Sequence, residues 1–223
     1  MLIEGHVPVT YATVTYEESV PTQAPKPTRM PAAARREQLL DVTKRIVSED
    51  GFHAVSIEAV AREAGISRPI VYGHFQDLRG LLQALVDREG ARALEQLGQV
   101  LPHDLAQGDP GVRLLGALRG YLEAVRADPQ TWRLVLMPPE GAPKLLHERI
   151  ARGRAAVLAQ LASALRPGLG AGRESPDPEL TARTLSTLAD EAARLLLTQP
   201  RRYPVERLLA HAEWLLALLR RAA

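Results

Sequence analysis

SIEAVAREAGISRPIVYGHF, from Ser56 to Phe75, has the spacing of two short helices joined by a tight turn. Val60, Ala61 and Ala64 fall at helical intervals on one face of the first. Gly65 can take the left-handed backbone that ends a helix abruptly, and Ile66 then drops back toward the core. Ser67 suits the N-cap of a second helix, with Pro69 in its first turn, where a missing N–H is tolerated. Ala61, four residues before the glycine, is small where two steeply crossing helices must approach closely. On the second helix Val71 and Phe75 fit the buried side, while Arg68, Tyr72 and His74 fit the outer one. A helix presented in this way suits a DNA major groove.

The ordered set Gly51-Phe52, Ser56-Ile57, Ala61, Ala64-Gly65-Ile66-Ser67 and Tyr72-Gly73-His74-Phe75 resembles the amino-terminal domain of the TetR-type transcriptional regulators. The resemblance covers residues 31–85. It implies an all-α chain, with a three-helix helix-turn-helix domain over 31–78 and a ligand-binding and dimerisation domain over 79–223. Contacts to DNA are then expected from Ser56, Ser67, Arg68, Pro69, Ile70, Tyr72, Gly73, His74 and Arg79. Arg68, Pro69 and Ile70 stand at the leading end of the second helix, where base edges are reached; Tyr72 and His74 are better placed for phosphates. Two positions depart from the family pattern. The position three after Phe75 commonly holds a phosphate-binding lysine and here holds Leu78, with Arg79 next. Gly73 lies inside the second helix, at a cost of roughly 1 kcal/mol relative to alanine.

Charge qualifies the DNA expectation. The 223-residue chain has a formal net charge of only +2. Within residues 31–79, Arg35, Arg36, Lys44, Arg45, Arg62, Arg68 and Arg79 are balanced by Glu37, Asp41, Glu49, Asp50, Glu58, Glu63 and Asp77. Binding to a polyanion must therefore rest on where the charges point. Arg35 and Arg36 sit near a helix start, where the dipole disfavours cations. A nearby phosphate backbone and a merely solvated helix start both account for them.

The chain has no cysteine, so disulfides and thiolate zinc sites are excluded, and a reducing cytoplasm is the expected setting. Neither a membrane span nor a signal peptide is expected. Residues 1–30 differ from the rest. Val7–Tyr16 alternates loosely in β-branched and aromatic residues, Pro21–Pro27 is hostile to helix, and a flexible extension is expected. The family resemblance begins right after Met30, so a start at Met30 is one expectation.

From residue 31 onward every segment reads as helix. Asp109-Pro110, Asp128-Pro129 and Asp177-Pro178 each supply a capping acid followed by proline at the first helical position. The expected helices are 33–50, 57–64, 68–75, 79–100, 110–127, 129–136, 143–166, 178–198 and 204–221. Gly90 and Gly98 weaken the fourth, and 166–177 reads as a mobile loop. Apolar seams on the last two helices include Leu185, Leu188 and Ala192 on one and Leu208, Leu215 and Leu219 on the other. Such seams alone fit an intramolecular core, but their width exceeds one neighbour's needs, and the resemblance implies a homodimeric four-helix bundle, which is the favoured reading.

Catalytic and cofactor motifs fail on inspection. Gly168-x-Gly170-x-Gly172 has Arg173 where a dinucleotide fingerprint needs glycine, and His147-Glu148 has Ala151 where a zinc-hydrolase helix needs its second histidine. No enzyme activity, metal or cofactor is expected. If the resemblance holds, the middle helices form an effector cavity. Tyr121, Trp132, Met137 and His147 are its candidate lining, with Arg113, Arg119 or Arg133 able to meet an anion, although a lone Trp or Met at helical spacing is more often core filler than a ligand contact. The reading is a homodimeric repressor that leaves a palindromic double-stranded DNA operator when a small-molecule effector binds. A helical adaptor whose helix-turn-helix no longer contacts DNA is the alternative.

Overall fold

The computed structural model describes residues 30–102, 108–166 and 177–222, with side chains as far as Leu218. Residues 1–29, 103–107, 167–176 and 223 and the side chain of Leu219 lie outside the described residues, and with them the expectations made there. Two compact units divide at Pro31, and all that follows concerns the second, Ala32–Ala223.

Among the described residues the chain is entirely helical. The helices are α1 Ala32–Asp50, α2 Ile57–Glu63, α3 Arg68–Phe75, α4 Leu78–Val100, α5 Pro110–Ala127, α6 Pro129–Leu136, α7 Lys144–Leu165, α8 Pro178–Thr198 and α9 Val205–Ala222, with a short 3-10 turn at Phe52–Ala54. The Asp-Pro starts form as their chemistry dictates. The carboxylate of Asp109 accepts from the backbone N–H groups of Gly111 and Val112, that of Asp177 from Glu179 and Leu180, and that of Asp128 from Thr131. Each satisfies donors that a helix start otherwise leaves orphaned. Pro143 and Pro204 each stand just before the first helical residue. Helix α4 runs unbroken through Gly90 and Gly98, because its apolar face is held by tertiary packing that outweighs their poor propensity.

Helices α1 to α3 close over Leu39, Leu40, Val47, Val60, Val71 and Phe75. The same apolar cluster continues into Leu81, Leu85 and Val86 of α4, Leu134 of α6 and Leu146 of α7. The head is thus seated on the body through a shared core. A second cluster joins Ala93, Tyr121, Leu122, Trp132, Ala193 and Leu209. In the body α8 packs on α7 and α5, and α9 lies against α5.

Candidate nucleic-acid interface and adjoining cavity

The turn between α2 and α3 is built by local chemistry. Ser56 caps α2, its hydroxyl accepting from Ala59 N–H at 3.0 Å. Gly65 takes φ 65°, and Ile66 N–H then donates to the carbonyl of Ala61 at 3.0 Å. That bond ties the turn back onto α2 and sets the departure angle of α3. Ser67 occupies the N-cap position of α3 with extended backbone, but its side chain makes no cap bond. The expected cap is thus positional only, with Pro69 stiffening the first turn in its place.

Helix α3 divides as its sequence predicts. Val71 and Phe75 are buried, whereas Ile70 and Tyr72 are 44 % and 46 % exposed. Ser67, Arg68, Pro69 and Gly73 share the exposed side, and His74 is half-buried with its ring 6.2 Å from that of Phe75. Leaving a β-branched and an aromatic side chain in water on an eight-residue helix has no benefit for folding. Arg79 stands exposed in the first turn of α4, beyond the Asp77 cap, whereas Leu78 is half-buried against the head core. Leu78 is apolar because it packs.

Three contacts escaped the sequence reading. Arg68 is paired with Glu58 across the turn at 3.0 Å, with both side chains exposed. The Arg68 hydrogen bond holds the Glu58 carboxyl below its usual range. Arg36 lies over the Phe75 ring at 5.0 Å, and Arg35 donates to Gln38. The two arginines at the start of α1 therefore have intramolecular roles. A cation–π contact of this kind is invisible until the tertiary fold brings α1 across α3.

Gly73 has open space around it: a Cβ added there meets nothing within 4 Å, and its backbone is not in the left-handed region. The free protein therefore has no use for glycine at this position. Gly73→Ala should raise stability in urea denaturation by up to about 1 kcal/mol. Unchanged DNA affinity in the same variant would remove close backbone approach as the reason for this glycine.

The head is bolted to the body by a buried polar network. Lys44 of α1, 5 % exposed, reaches Glu89 of α4 at 2.9 Å and Asp128 at the start of α6 at 2.9 Å. It also donates to the Thr131 hydroxyl at 2.6 Å, and that hydroxyl in turn bonds Glu89. On its other oxygen Glu89 takes Arg88 at 2.8 Å, and Arg88 also pairs with Glu37 and Asp41 of α1. Burial alone would push the carboxyl of Glu89 up; bonds from Thr131 and Lys44, with the charges of Lys44 and Arg88, outweigh it and hold it below the usual range. Asp128 is lowered in the same way: burial opposes, and the bonds from Lys44 and Thr131 prevail.

Beside this network lies a cavity of about 540 Å³ between α4, α5, α6, α7 and α8, bordered by α9. Glu89 is on its wall as well as in the network. Tyr121 and Trp132 line it, their rings edge to face at 5.1 Å. Burial first, then the neighbouring Asp190, pushes the Tyr121 hydroxyl well above its ordinary value, so it stays protonated and donates to Asp190 at 3.1 Å. Met137 and His147 are not on the wall. Met137 ends α6 and packs on the second core cluster. His147 is exposed because Leu146, Arg149, Ile150, Gly153 and Arg154 hold the inward face of α7. Arg113 and Arg119 are exposed, and Arg133 donates to the carbonyl of Leu197; the arginines on the wall are Arg149 and Arg154.

Of the expected dimer residues, Leu188 is 57 % exposed, Leu185 packs on the Leu161 cluster, and Ala192 and Leu208 pack on the second cluster. Leu215 is half-buried. Trp214 and Leu218, which the sequence reading passed over, are exposed on α9. No group of three metal-ligating side chains occurs among the described residues, and no helix there is long and apolar enough to cross a membrane.

The described residues thus form a helix-turn-helix head with its second helix turned outward, seated on a hollow helical body. The family model for bacterial regulatory proteins of the tetR family matches residues 39–85. The chain is 29% identical over 107 residues to the transcriptional activator FasR of Mycolicibacterium smegmatis, covering 48% of each chain. It is 35% identical over 92 residues to the transcriptional regulator BetI of Yersinia pestis, covering 40% of this chain and 44% of that one. The chain thus spans about half the length of the curated relatives it matches. Among solved structures, a TetR-like transcriptional regulator from Rhodococcus sp. RHA1 superposes with a TM-score of 0.64 at 25% identity, over 83% of this chain and 94% of that one. Residues 39–85 thus carry the amino-terminal domain of the tetR-family regulators, and the described helices share the fold of a TetR-like regulator.

Proposed function

We propose that this protein is a DNA-binding transcriptional regulator that inserts α3 into the major groove and changes its DNA affinity when a small molecule fills the body cavity. One observation carries the reading: the outward side of α3 exposes Ile70 and Tyr72, which nothing in the free fold requires to be there, beside Arg68 in an exposed ion pair with Glu58. Residues 31–78 act as the reading head and 79–223 as the sensing and dimerising body. The exposed apolar side chains Leu188, Trp214 and Leu218 support pairing with a second copy through α8 and α9. A two-fold dimer reads a palindromic operator, with heads about 34–36 Å apart or at a multiple of that spacing.

Coupling runs through Glu89. A ligand in the cavity meets its wall, and the same carboxylate grips Lys44 of the head. A small shift of α4 or α6 therefore changes how α1 is held. A ligand that prefers one arrangement of the head moves the equilibrium by its differential affinity for the two. We assign the sign as repression by occupancy of the operator, relieved by the ligand. FasR has activation in its name, so transcription in vitro from the selected site decides the sign for this chain.

Selection of bound fragments from random DNA supplies the operator. On that operator and a scrambled duplex, at one fixed salt concentration, Arg68→Ala should lose discrimination at one or two positions per half-site. A bidentate arginine–guanine contact is worth about 1–3 kcal/mol of discrimination. Tyr72→Phe should weaken binding equally on both duplexes, because a phosphate contact has no base information. Arg68 must exchange Glu58 for DNA, so Glu58→Ala should not lower affinity. If neither Arg68→Ala nor Tyr72→Phe changes binding, α3 is not the reading helix and an adaptor role replaces this one.

A further inference from the structure

The charged carboxylate and guanidinium groups on the cavity wall are Glu89, Arg149, Arg154, Asp190 and Glu191. Four of them are matched within the protein. Glu89 is held by Lys44 and Arg88; Asp190 takes Arg154 at 2.6 Å and the Tyr121 hydroxyl; Glu191 pairs with Arg194 at 3.3 Å. Arg149 is different. Its Nε is buried with no hydrogen-bond acceptor, and the carboxylate nearest it, Asp87 Oδ1, is 3.9 Å away. Asp87 has its own partner in Gln83, which donates to Oδ2 at 2.7 Å. Glycine at position 90 gives this arginine its place: a Cβ there would lie 2.9 Å from Arg149 Nε and 3.0 Å from its Cγ. The fold makes room for a guanidinium on the wall and supplies it no close counter-ion.

The remaining wall is overwhelmingly aliphatic, with leucine and valine from α4, α5, α7 and α8. The Arg149 side chain keeps 26 % of its surface exposed, and guanidinium binds carboxylate with two parallel bonds. A cavity of about 540 Å³ suits a ligand of modest size. We infer that the effector is an aliphatic carboxylate, its chain in the leucine-rich body of the cavity and its head group at Arg149. This rests on the reading of the cavity as an effector site. Cationic and neutral amphiphiles are disfavoured by the same geometry. A cation meets Arg149 directly, and a neutral head group forgoes the charge-assisted bonds.

Calorimetric titration of the whole chain tests it, with dodecanoate, dodecan-1-ol and dodecyltrimethylammonium, all below their micelle concentrations. The expected order is dodecanoate tightest by at least tenfold, the alcohol next and the ammonium weakest. Arg149→Gln should reduce dodecanoate to the affinity of the alcohol and leave the alcohol as it was; Arg149→Lys should keep part of the preference. Unaltered alcohol binding reports an intact cavity in each variant. Equal binding of acid and alcohol by the unaltered protein overturns the head-group assignment, as does a preference that survives Arg149→Gln. Binding of none of the three overturns the ligand class. Operator binding is measured alongside: selective dodecanoate binding without any DNA binding would leave this inference standing and remove the regulatory reading. Release from the operator by a non-aliphatic compound alone would do the reverse.

Discussion

Lys44→Met should cost about 3–5 kcal/mol of stability, the range found when one partner is removed from a buried ion pair. The reason is what it leaves behind. Glu89 is 2 % exposed, and Asp128 is largely covered. Without the ammonium both carboxylates keep their desolvation cost, and Asp128 retains only the Thr131 bonds and a distant Arg92 at 3.6 Å. A loss of that size consumes much of the 5–15 kcal/mol typical of a folded domain. The urea midpoint should fall sharply. Lys44→Met combined with Glu89→Met should recover part of the loss, because it removes the more deeply buried of the two orphaned carboxylates while Asp128 keeps its cost. If the double variant is as unstable as the single one, the packing of the lysine stem matters more than its charge.

The same network sets an acid limit. Glu89 and Asp128 both have folded-state carboxyls held below the usual range. The unfolded chain therefore takes up protons at a higher pH than the folded one. The stability from these two groups is fully present above the ordinary carboxylate values near 4, and it is lost as pH falls through the lowered folded-state values. Stability should accordingly change little through these groups around neutrality and drop below about pH 4. In the Lys44→Met variant the drop should begin at a higher pH, since the main counter-charge is gone.

Much of this fold is written locally and was legible for that reason. Asp-Pro pairs mark three helix starts because capping and the fixed proline φ need only adjacent residues. The turn at Gly65 is set by one backbone conformation. The outward and inward sides of α3 follow from helical period alone. The ion pairs that matter join residues far apart in the chain: Lys44 meets Asp128 across 84 positions. Counting Lys44 as one of seven bases in the head concealed it. A usable signal was present, because Lys44 falls between Leu40 and Val47 on the apolar stripe of α1, and Glu89 between Val86 and Ala93 on that of α4. A charge on a core stripe needs a partner, and two opposite ones suggest each other. Arg149 had no such mark. Its role depends on which face of α7 turns toward Gly90, which only the assembled body decides.

Gly80→Ala should do the opposite of Gly73→Ala, although the two glycines lie in neighbouring helices, α4 and α3. Position 80 is in the first turn of α4, where its N–H donates to the Asp77 carboxylate. A Cβ there would be driven into the backbone carbonyl of Phe75, far inside van der Waals contact. That carbonyl cannot simply yield. It accepts from Asp77 N–H at 2.7 Å, and the Phe75 side chain is anchored in the head core beneath Arg36. The intervening Gln76 is already at φ 64°, a conformation disfavoured for a side-chain-bearing residue. Relief therefore requires α3 to tilt or translate against α4. Overpacking of this kind costs about 1–3 kcal/mol, but the larger effect should be on DNA. Shifting the reading helix by an ångström misaligns Arg68 and Tyr72 together, so affinity should fall on operator and scrambled duplex alike. The amide signals of Arg68 to Gln76 should move while those of α5 and α8 stay in place. A variant with unchanged stability and DNA affinity would mean that the corner between α3 and α4 opens freely, and that the angle of the reading helix is set elsewhere.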